Sequence, residues 1–379
     1  MLAGMVASTR SFGRSMAAAL SRRADPTLSD QAKTEPEYPP TVYGERIPWE
    51  IPVQLCLRDV LREGDCALDV GANIGGVGIA MSRMVGASGS VHAFEANPRT
   101  LARLYADLAA NHVTHVTVVP KAAWSTSGEH ISFYCDTSYY AAGSSIYRRE
   151  KTWQEVRVPT ISLDDYCRVN RLAPKAVKLD VEGAEFDVLQ GAQWILDRYS
   201  PAFVLEYHPA AERGKDTVEL LRSRGYSTFD TNLYREVDRD FYLKNFEKVP
   251  TANVLAVATG SAAHTRYSRL SLVEEHSARC AGERTDWLAL DQPGRFVVVA
   301  DFEGPNETEA VLRVSDSDSH SLACFQTQVQ YLKEHSCSHL VIDIDQPCQI
   351  RCELSAADSA SATVALRNVR VMRVCFAPA

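Results

Sequence analysis

A glycine-rich turn that joins a short apolar run to an amphipathic segment is the feature that most constrains the fold of this chain. Residues 67–70 form the apolar run, and residues 74–80 space their apolar side chains as a helix does. Gly71 permits backbone angles that other residues resist, while Gly75 and Gly76 allow a ligand or another strand to approach the start of the helix. The pattern predicts a strand, a tight turn and a helix, an arrangement that binds nucleotides in α/β proteins.

The spacing within this turn separates two classes of ligand. Dinucleotide-binding turns carry Gly-x-Gly-x-x-Gly, because the pyrophosphate lies against the second glycine. Asn73 occupies that second position here, which disfavours a pyrophosphate. The pattern Asp69-x-Gly71-x-x-x-Gly75 instead resembles that of Rossmann-like S-adenosylmethionine-dependent methyltransferases, whose ligand has a ribose and a charged amino acid but no phosphate.

Length and composition indicate a soluble globular protein with room for two domains. The chain has 379 residues, of which 45% are hydrophobic and 23% are charged. A formal net charge of -8 argues against an extended nucleic-acid surface, which needs clustered lysine and arginine. No apolar run approaches the roughly 20 residues of a membrane-spanning helix. The ten cysteines include no Cys-x-x-Cys pair of the kind that binds zinc or carries out redox chemistry.

The first 40 residues have a different composition from the rest. Residues 1–24 contain four arginines and no acidic residue, which is the composition of an organellar transit peptide. Residues 25–40 are polar, end in two prolines and indicate a linker. We interpret residues 1–40 as a basic leader and linker of a cytoplasmic protein, and an organellar location is the alternative.

Two further segments predict the cofactor side of a binding cleft. The segment 91–98 predicts a second buried strand that ends at Glu95, and Asn97 follows. The carboxylate of Glu95 can accept hydrogen bonds from both hydroxyls of a ribose. Glu95 could instead cap the next helix. Small residues around Ala122 leave room for a flat ring beside the third strand, although this region could equally be ordinary core.

Acidic residues and a histidine follow two later apolar runs. Asp180 and Glu182 end a run that repeats the pattern of the first strand and turn, and Glu206 and His208 end the next one. Because ligands bind at the carboxyl ends of strands in open α/β sheets, we expect these side chains beside the Gly71 turn. An imidazole titrates near pH ~6.5, so we favour His208 as the general base. The alternative is a structural role, in which His208 only donates a hydrogen bond to a backbone carbonyl at the end of the strand.

A divalent ion is the alternative to a histidine base. Mg²⁺ prefers a few carboxylates and retains bound water, so Asp180, Glu182 and Glu206 could hold one. No ligand spacing in the sequence requires a metal, and we expect none.

Six motifs in a fixed order resemble those of the FkbM-type methyltransferases. They are DVGANIG, FEANP, the segment 143–146, TISLDDY, KLDVEGAEFDVLQGA and LEYH, and they span roughly residues 65–210. The resemblance implies a Rossmann-like class I methyltransferase domain that transfers a methyl group from S-adenosylmethionine to a hydroxyl of a sugar, glycan or natural product. It leaves the acceptor and homo-oligomer formation open.

The predicted site combines these observations. The predicted cofactor-binding residues are Asp69, Gly71, Asn73, Gly75, Glu95, Asn97, Ala122 and Asp180. The predicted catalytic residues are His208, Asp180 and Glu182. A nicotinamide-dependent oxidoreductase on the same fold, or a non-catalytic carbohydrate-binding protein, would be the alternative functions.

Composition changes again after residue 260. Residues 261–285 are polar and predict a linker, whereas residues 286–379 alternate in short strands typical of an all-β sandwich. The layout resembles carbohydrate-binding jelly rolls, and a packing or dimerisation module is the alternative. We therefore expect a methyltransferase domain over residues 41–260 that folds alone and binds the cofactor.

Overall fold

The structure is a computed structural model, and it describes most of the chain after residue 40. The described residues are 41, 43, 50–136, 143–148, 151–208, 214–245, 252–303, 309–318, 321–328, 337–356 and 365–376. The predicted leader, residues 1–40, lies outside these ranges. No described helix is long and apolar enough to cross a membrane.

The N-terminal part of the chain alternates helices and strands. Its helices are Ile51–Val60 (α1), Gly76–Val85 (α2), Pro98–Ala110 (α3), Leu163–Asn170 (α4), Glu185–Gln190 (α5), Gln193–Tyr199 (α6), Gly214–Ser223 (α7), Arg239–Asn245 (α8) and Ala262–Ser268 (α9). Its strands are Cys66–Val70 (β1), Ser90–Phe94 (β2), Val116–Val119 (β3), Ala122–Ala123 (β4), His130–Cys135 (β5), Gln154–Ile161 (β6), Pro174–Leu179 (β7), Ala202–Tyr207 (β8), Tyr226–Asp230 (β9), Arg235–Glu236 (β10) and Ala252–Ala258 (β11). This confirms the predicted α/β class.

One eight-stranded sheet organises this part, in the order β10-β9-β11-β8-β7-β1-β2-β3. Strands β1, β2, β3, β7 and β8 are parallel, and β11 is antiparallel to both of its neighbours. The strand order reverses between β1 and β7, which is the point at which open parallel sheets bind ligands. The carboxyl ends of β1, β2 and β7 therefore define the candidate site.

A small side sheet adjoins the large one. β5 and β6 form an antiparallel pair, and β6 also pairs with β4. Between β5 and β6, residues 143–148 are described, whereas residues 137–142 lie outside the described ranges. The backbone of Ser145 pairs with that of Tyr134 in β5, which anchors the described segment to the side sheet.

From Ser271 onward, the described regular elements are strands. They are Ser271–Gly282 (β12), Leu288–Leu290 (β13), Gly294–Glu303 (β14), Glu309–Asp316 (β15), Ser321–Gln328 (β16), Cys337–Ile344 (β17), Cys348–Ala356 (β18) and Ala365–Cys375 (β19). They form two four-stranded antiparallel sheets, β12-β19-β14-β17 and β13-β18-β15-β16. Apolar side chains of both sheets, including Phe296 and Leu312, share one buried core, so the sheets pack face to face as a sandwich.

The prediction that residues 261–285 form a loop-like linker was wrong. This stretch contains α9 and the 12-residue strand β12, which pairs with β19 at the edge of its sheet. Most side chains of β12 are exposed or only half-buried. An edge strand of this kind has the polar composition of a loop, because little of its surface faces the core. The polar composition of residues 261–285 therefore did not indicate a loop.

The two parts of the chain share a core around helix α1. Val53 and Leu57 of α1 belong to one buried cluster with Val297 of β14 and Val341 of β17. In the same region, the carboxylate of Asp59 is the acceptor for three side chains from outside α1. Arg295 Nη1 donates to Asp59 Oδ2 at 2.7 Å, Tyr267 Oη donates to the same oxygen at 2.7 Å, and Arg266 Nη2 lies 3.4 Å from Asp59 Oδ1. The sandwich is thus attached to α1 by apolar packing and by a largely buried ion pair.

Candidate active site

A cleft of about 400 Å³ opens at the carboxyl ends of β1, β2 and β7. Of the predicted site residues, it is lined by Gly71, Asn73, Glu95, Ala122, Asp180 and Glu182. Asp69, Gly75, Asn97 and His208 do not line it. Its volume falls in the range of cavities that bind small molecules and cofactors.

The glycine turn is shaped by contacts within the protein. Gly71 has a φ of 83°, and a Cβ atom there would lie 1.7 Å from the backbone oxygen of Asp180. Gly75 has a φ of 92°, and a Cβ atom there would lie 2.5 Å from Leu104 Cδ1. Both glycines are thus required for their backbone conformation and for close packing. The unusual conformation of Gly71 was expected from the sequence. Asp69 is fully buried beneath the start of α2, next to Gly78.

We expect Gly71→Ala to lower the free energy of unfolding much more than Gly128→Ala does. Both positions have positive φ angles, which cost an alanine about 1–2 kcal/mol. Nothing lies within 4 Å of a Cβ at Gly128, whereas Gly71 adds a backbone clash that costs a further ~1–3 kcal/mol or more. Denaturant unfolding of the two variants measures the difference. Equal losses would mean that the approach of the two backbones does not constrain the turn.

Glu95 holds the turn in place through its carboxylate. Oε2 accepts the backbone N–H of Asn73 at 2.7 Å, and Oε1 accepts that of Asn97 at 2.7 Å. Burial raises the pKa of Glu95 to about 7, and these two N–H groups oppose the shift. Asn97, and not Glu95, provides the side chain that caps α3, by accepting the N–H of Arg99. The capping alternative for Glu95 therefore does not hold, while Asn97 has a structural position.

Lys178 is a site residue that the sequence reasoning missed. It lies buried in β7, donates through Nζ to the backbone oxygen of Gly71 at 2.9 Å, and lies 3.2 Å from Asp180 Oδ2. Burial opposes its charge, but the carboxylates of Asp180, Glu50 and Asp69 outweigh this and raise the pKa of Lys178. The available signal was a lysine within the apolar run 176–179, since a buried charge must be paired.

Glu50, which directly precedes α1, also lines the cleft and was not predicted. Burial raises the pKa of Glu50 to about 7, Lys178 lowers it, and Asp180 and Asp69 raise it further. Its backbone is left-handed, with a φ of 53°. No pattern in the sequence links residue 50 to the strand ends, because only the packing of α1 brings it there.

A chain of acidic side chains leads from the cleft to His208. Asp180 and Glu182 line the cleft, Glu206 shares a hydrogen bond with Asp180, and His208 Nε2 lies 2.9 Å from Glu206 Oε2. Burial, followed by the charges of Asp180 and Glu182, raises the pKa of Glu206 to about 9. Glu206 is therefore protonated near neutral pH. The structure brings the predicted catalytic residues together, with His208 behind Glu206.

The same side chains include two overlapping groups that could hold a metal ion. Asp180, Glu182 and Glu206 offer oxygen atoms within 4.8 Å of one another, as do the ligand atoms of Glu185, Glu206 and His208. Glu185 already accepts the backbone N–H groups of Val181 and Gly183. The carboxylates thus have partners within the protein.

The segment 143–148 connects two sides of the cleft. Asn97 Nδ2 donates to Ser144 Oγ at 3.1 Å, and Ser145 Oγ donates to the backbone oxygen of Glu182 at 2.8 Å. Ser144 and Ile146 line the cleft. The segment therefore reaches from the end of β2 to the turn after β7.

Comparison with known proteins identifies similar sequences over this part of the chain. The family model described as "Methyltransferase FkbM domain" matches residues 69–228. The hexuronic acid methyltransferase AglP of Haloferax volcanii is 34% identical over 188 residues, which are 49% of this chain and 73% of that protein.

Solved structures of methyltransferases also align with part of the chain. A methyltransferase FkbM from Methylobacillus flagellatus KT aligns with 16% identity and a TM-score of 0.33, over 53% of this chain and 49% of that chain. A SAM-dependent O-methyltransferase from Thermotoga maritima aligns with 14% identity and a TM-score of 0.35, over 57% of this chain and 68% of that chain.

Proposed function

Because this chain belongs to the FkbM family of S-adenosylmethionine-dependent methyltransferases, we propose that it methylates a hydroxyl group of a sugar, a glycan or a natural product. The name of its relative, a hexuronic acid methyltransferase, supports a carbohydrate acceptor. The observation that carries the proposal is the cleft, which Asp180 and Glu182 line together with Asn73, Glu95 and Ala122. Membership of the family excludes the oxidoreductase and the non-catalytic protein as the function of the N-terminal part.

The residues of the cleft fit the cofactor. Asn73 Oδ1 is buried in the cleft wall, and no donor in the described part of the chain reaches it, so a ligand group can supply one. Each oxygen of Glu95 accepts one backbone N–H and retains a lone pair for a ribose hydroxyl. Ala122 is small, and it lines the cleft between Lys121 and Trp124, where a flat ring fits.

The acidic chain supplies a route for the proton of the acceptor hydroxyl. S-adenosylmethionine, when bound, provides a methyl group on a positively charged sulfur. Asp180 faces the cleft and accepts the hydroxyl proton as the oxygen forms its new bond. As Asp180 hands this proton on to Glu206 through their shared hydrogen bond, Glu206 releases its own proton to His208 and so stays protonated. His208 thus acts as the final acceptor, and Lys178, 3.2 Å from Asp180 Oδ2, orients Asp180.

Transfer of a labelled methyl group tests the proposed acceptor class. The full chain is incubated with labelled S-adenosylmethionine and panels of neutral sugars, uronic acids and hydroxylated natural products. We expect label in an alkali-stable ether of one of them, as an O-methylated hydroxyl requires. Label found only in alkali-labile esters, or only on nitrogen, would contradict methylation of a hydroxyl.

We expect Glu95→Ala to weaken cofactor binding by ~1–3 kcal/mol, the usual cost of removing a charged hydrogen-bond partner. Calorimetry with S-adenosylhomocysteine measures the change. Since Glu95 also holds the backbone of Asn73, Glu95→Gln is the matched control, because it retains one acceptor oxygen and should lose less affinity. Unchanged affinity in a folded Glu95→Ala protein would contradict the ribose role.

The C-terminal sandwich has the strand order of a jelly roll, and we infer that fold for it. Counted from β12, one sheet contains the first, eighth, third and sixth strands, and the other contains the second, seventh, fourth and fifth. Eight strands in two such sheets are typical of jelly rolls, which include lectin domains. This supports a glycan-related role without identifying a ligand.

A further inference from the structure

Three carboxylates surround the one buried ammonium at the β1–β7 end of the cleft. Glu50, Asp69 and Asp180 all act on the charge of Lys178. One ammonium faces three carboxylates in a largely buried place, so the pKa values of Glu50 and Asp69 are raised, and a further cation would stabilise the ionised carboxylates. This end of the cleft is therefore complementary to a positively charged group.

The position of this charge matches one part of the cofactor. Glu95 places the ribose at the end of β2, and the neighbouring strand ends in the sheet are β1 and then β7. A cofactor that extends from the ribose across Gly71 brings its amino-acid part to the β1–β7 end. That part carries the ammonium group, whereas the adenosine part carries no charge.

Glu50 is the carboxylate best placed to accept this ammonium. Asp69 is buried outside the cleft wall, and Asp180 is engaged by Lys178 and Glu206. Glu50 lines the cleft and directly precedes helix α1, so it does not belong to a strand end. It can therefore contact the ligand independently of the strand ends.

The position of Glu50 depends on what holds α1. The backbone oxygen of Glu50 accepts the N–H of Gln54, so residue 50 moves with the first turn of the helix. Nine residues further on, or about 14 Å along the helix axis, Asp59 pairs with Arg295 of the sandwich. Arg295 is buried and also lies 3.4 Å from the backbone oxygen of Leu55 in α1. The sandwich thus fixes the helix that carries Glu50.

We propose that Glu50 accepts the ammonium group of the cofactor, and that the C-terminal sandwich positions Glu50 through the Asp59–Arg295 pair on α1. This gives the sandwich a part in cofactor binding at a distance from the cleft. The inference rests on the cofactor of the family and is independent of the acceptor.

Calorimetry with two nucleosides tests the role of Glu50. S-adenosylhomocysteine carries the ammonium, and 5′-methylthioadenosine lacks the whole amino-acid part. We expect Glu50→Gln to weaken S-adenosylhomocysteine binding about 10- to 100-fold and to leave 5′-methylthioadenosine binding unchanged. Equal losses for both ligands, or no loss for either, would overturn the assignment. Neither measurement needs an acceptor, so failure of the proposed function would leave this test intact.

Arg295→Met tests the positioning by the sandwich in the full chain. We expect it to reduce the preference for S-adenosylhomocysteine over 5′-methylthioadenosine, and the double variant with Glu50→Gln to lose no more than Glu50→Gln alone. Arg224→Met, which removes an exposed pair with Asp197, is the matched control and should leave the preference unchanged. If the Arg295→Met protein does not fold, the double variant Asp59→Asn/Arg295→Met is used in its place. It leaves no unpaired buried carboxylate. A lower unfolding temperature with an unchanged preference would overturn the positioning role.

Discussion

Asp180→Asn should lower kcat by ~10²–10⁴-fold, the usual contribution of a general base, while the affinity for S-adenosylhomocysteine stays nearly constant. Asp180 is the member of the acidic chain that lines the cleft and shares a hydrogen bond with Glu206. Asparagine keeps the shape of the side chain but cannot take the proton. Steady-state kinetics and calorimetry on the same preparation separate kcat from cofactor binding.

His208→Ala is the comparison for this variant. Because His208 contacts Glu206 and does not line the cleft, we expect a smaller loss of kcat than for Asp180→Asn. A larger loss would make His208 the direct base that the sequence favoured. An equal fall in kcat and in cofactor affinity for Asp180→Asn would instead assign Asp180 to the cofactor.

Excess EDTA provides a second control on the same chemistry. Lys178 neutralises Asp180 and Glu206 keeps a proton, which leaves fewer ionised oxygens than Mg²⁺ prefers. We therefore expect turnover to persist in the chelator. Activity that disappears with EDTA and returns with Mg²⁺ would transfer the role of this cluster to a metal ion.

A fragment of residues 41–260 should fail to fold as a stable, soluble domain. It lacks Arg266, Tyr267 and Arg295, so the carboxylate of Asp59 would lose all three side-chain donors from outside α1, and a broken buried pair costs ~3–5 kcal/mol. The cut also exposes the apolar side chains that α1 shares with β14 and β17, at about 1.5–3 kcal/mol for each one. The sum approaches the ~5–15 kcal/mol that stabilises an ordinary domain.

Expression of residues 41–260 beside residues 41–379 tests this expectation. The longer fragment retains the sandwich and should show a cooperative thermal transition and bind S-adenosylhomocysteine. The composition change near residue 261 favours an independently folding first domain, and the shared core favours the opposite. A soluble 41–260 fragment with a cooperative transition would show that the sandwich is dispensable for folding.

The sequence was sufficient where function depends on local backbone pattern. The turn at Gly71 and the acid at the end of β2 follow from the order of strand, glycine and carboxylate, and the structure places both in the cleft. Asp69 belongs to the same pattern, yet its side chain is buried beneath α2. Local spacing identifies such a turn without saying which way each side chain points.

Residues that reach the site through packing were not predictable in this way. Glu50 enters the cleft only because α1 packs between the sheet and the sandwich. The role of Lys178 depends on three carboxylates that come from separate parts of the chain. Likewise, the spacing of Glu206 and His208 gave no indication that the first would separate the second from the cleft.

The short connection between the two parts has a consequence for chimeric proteins. Only Arg269 and Leu270 separate α9 from β12, and α9 supplies Tyr267 to the shared core. A recombinant that exchanges the sandwich for that of a relative therefore cannot be joined at an arbitrary point near residue 260. The exchanged unit has to begin before α9. The side chains of α1 that pack against the sandwich have to be exchanged with it. Recombination that respects these two elements should preserve the cleft, whereas a junction chosen from composition alone would separate residues that pack together.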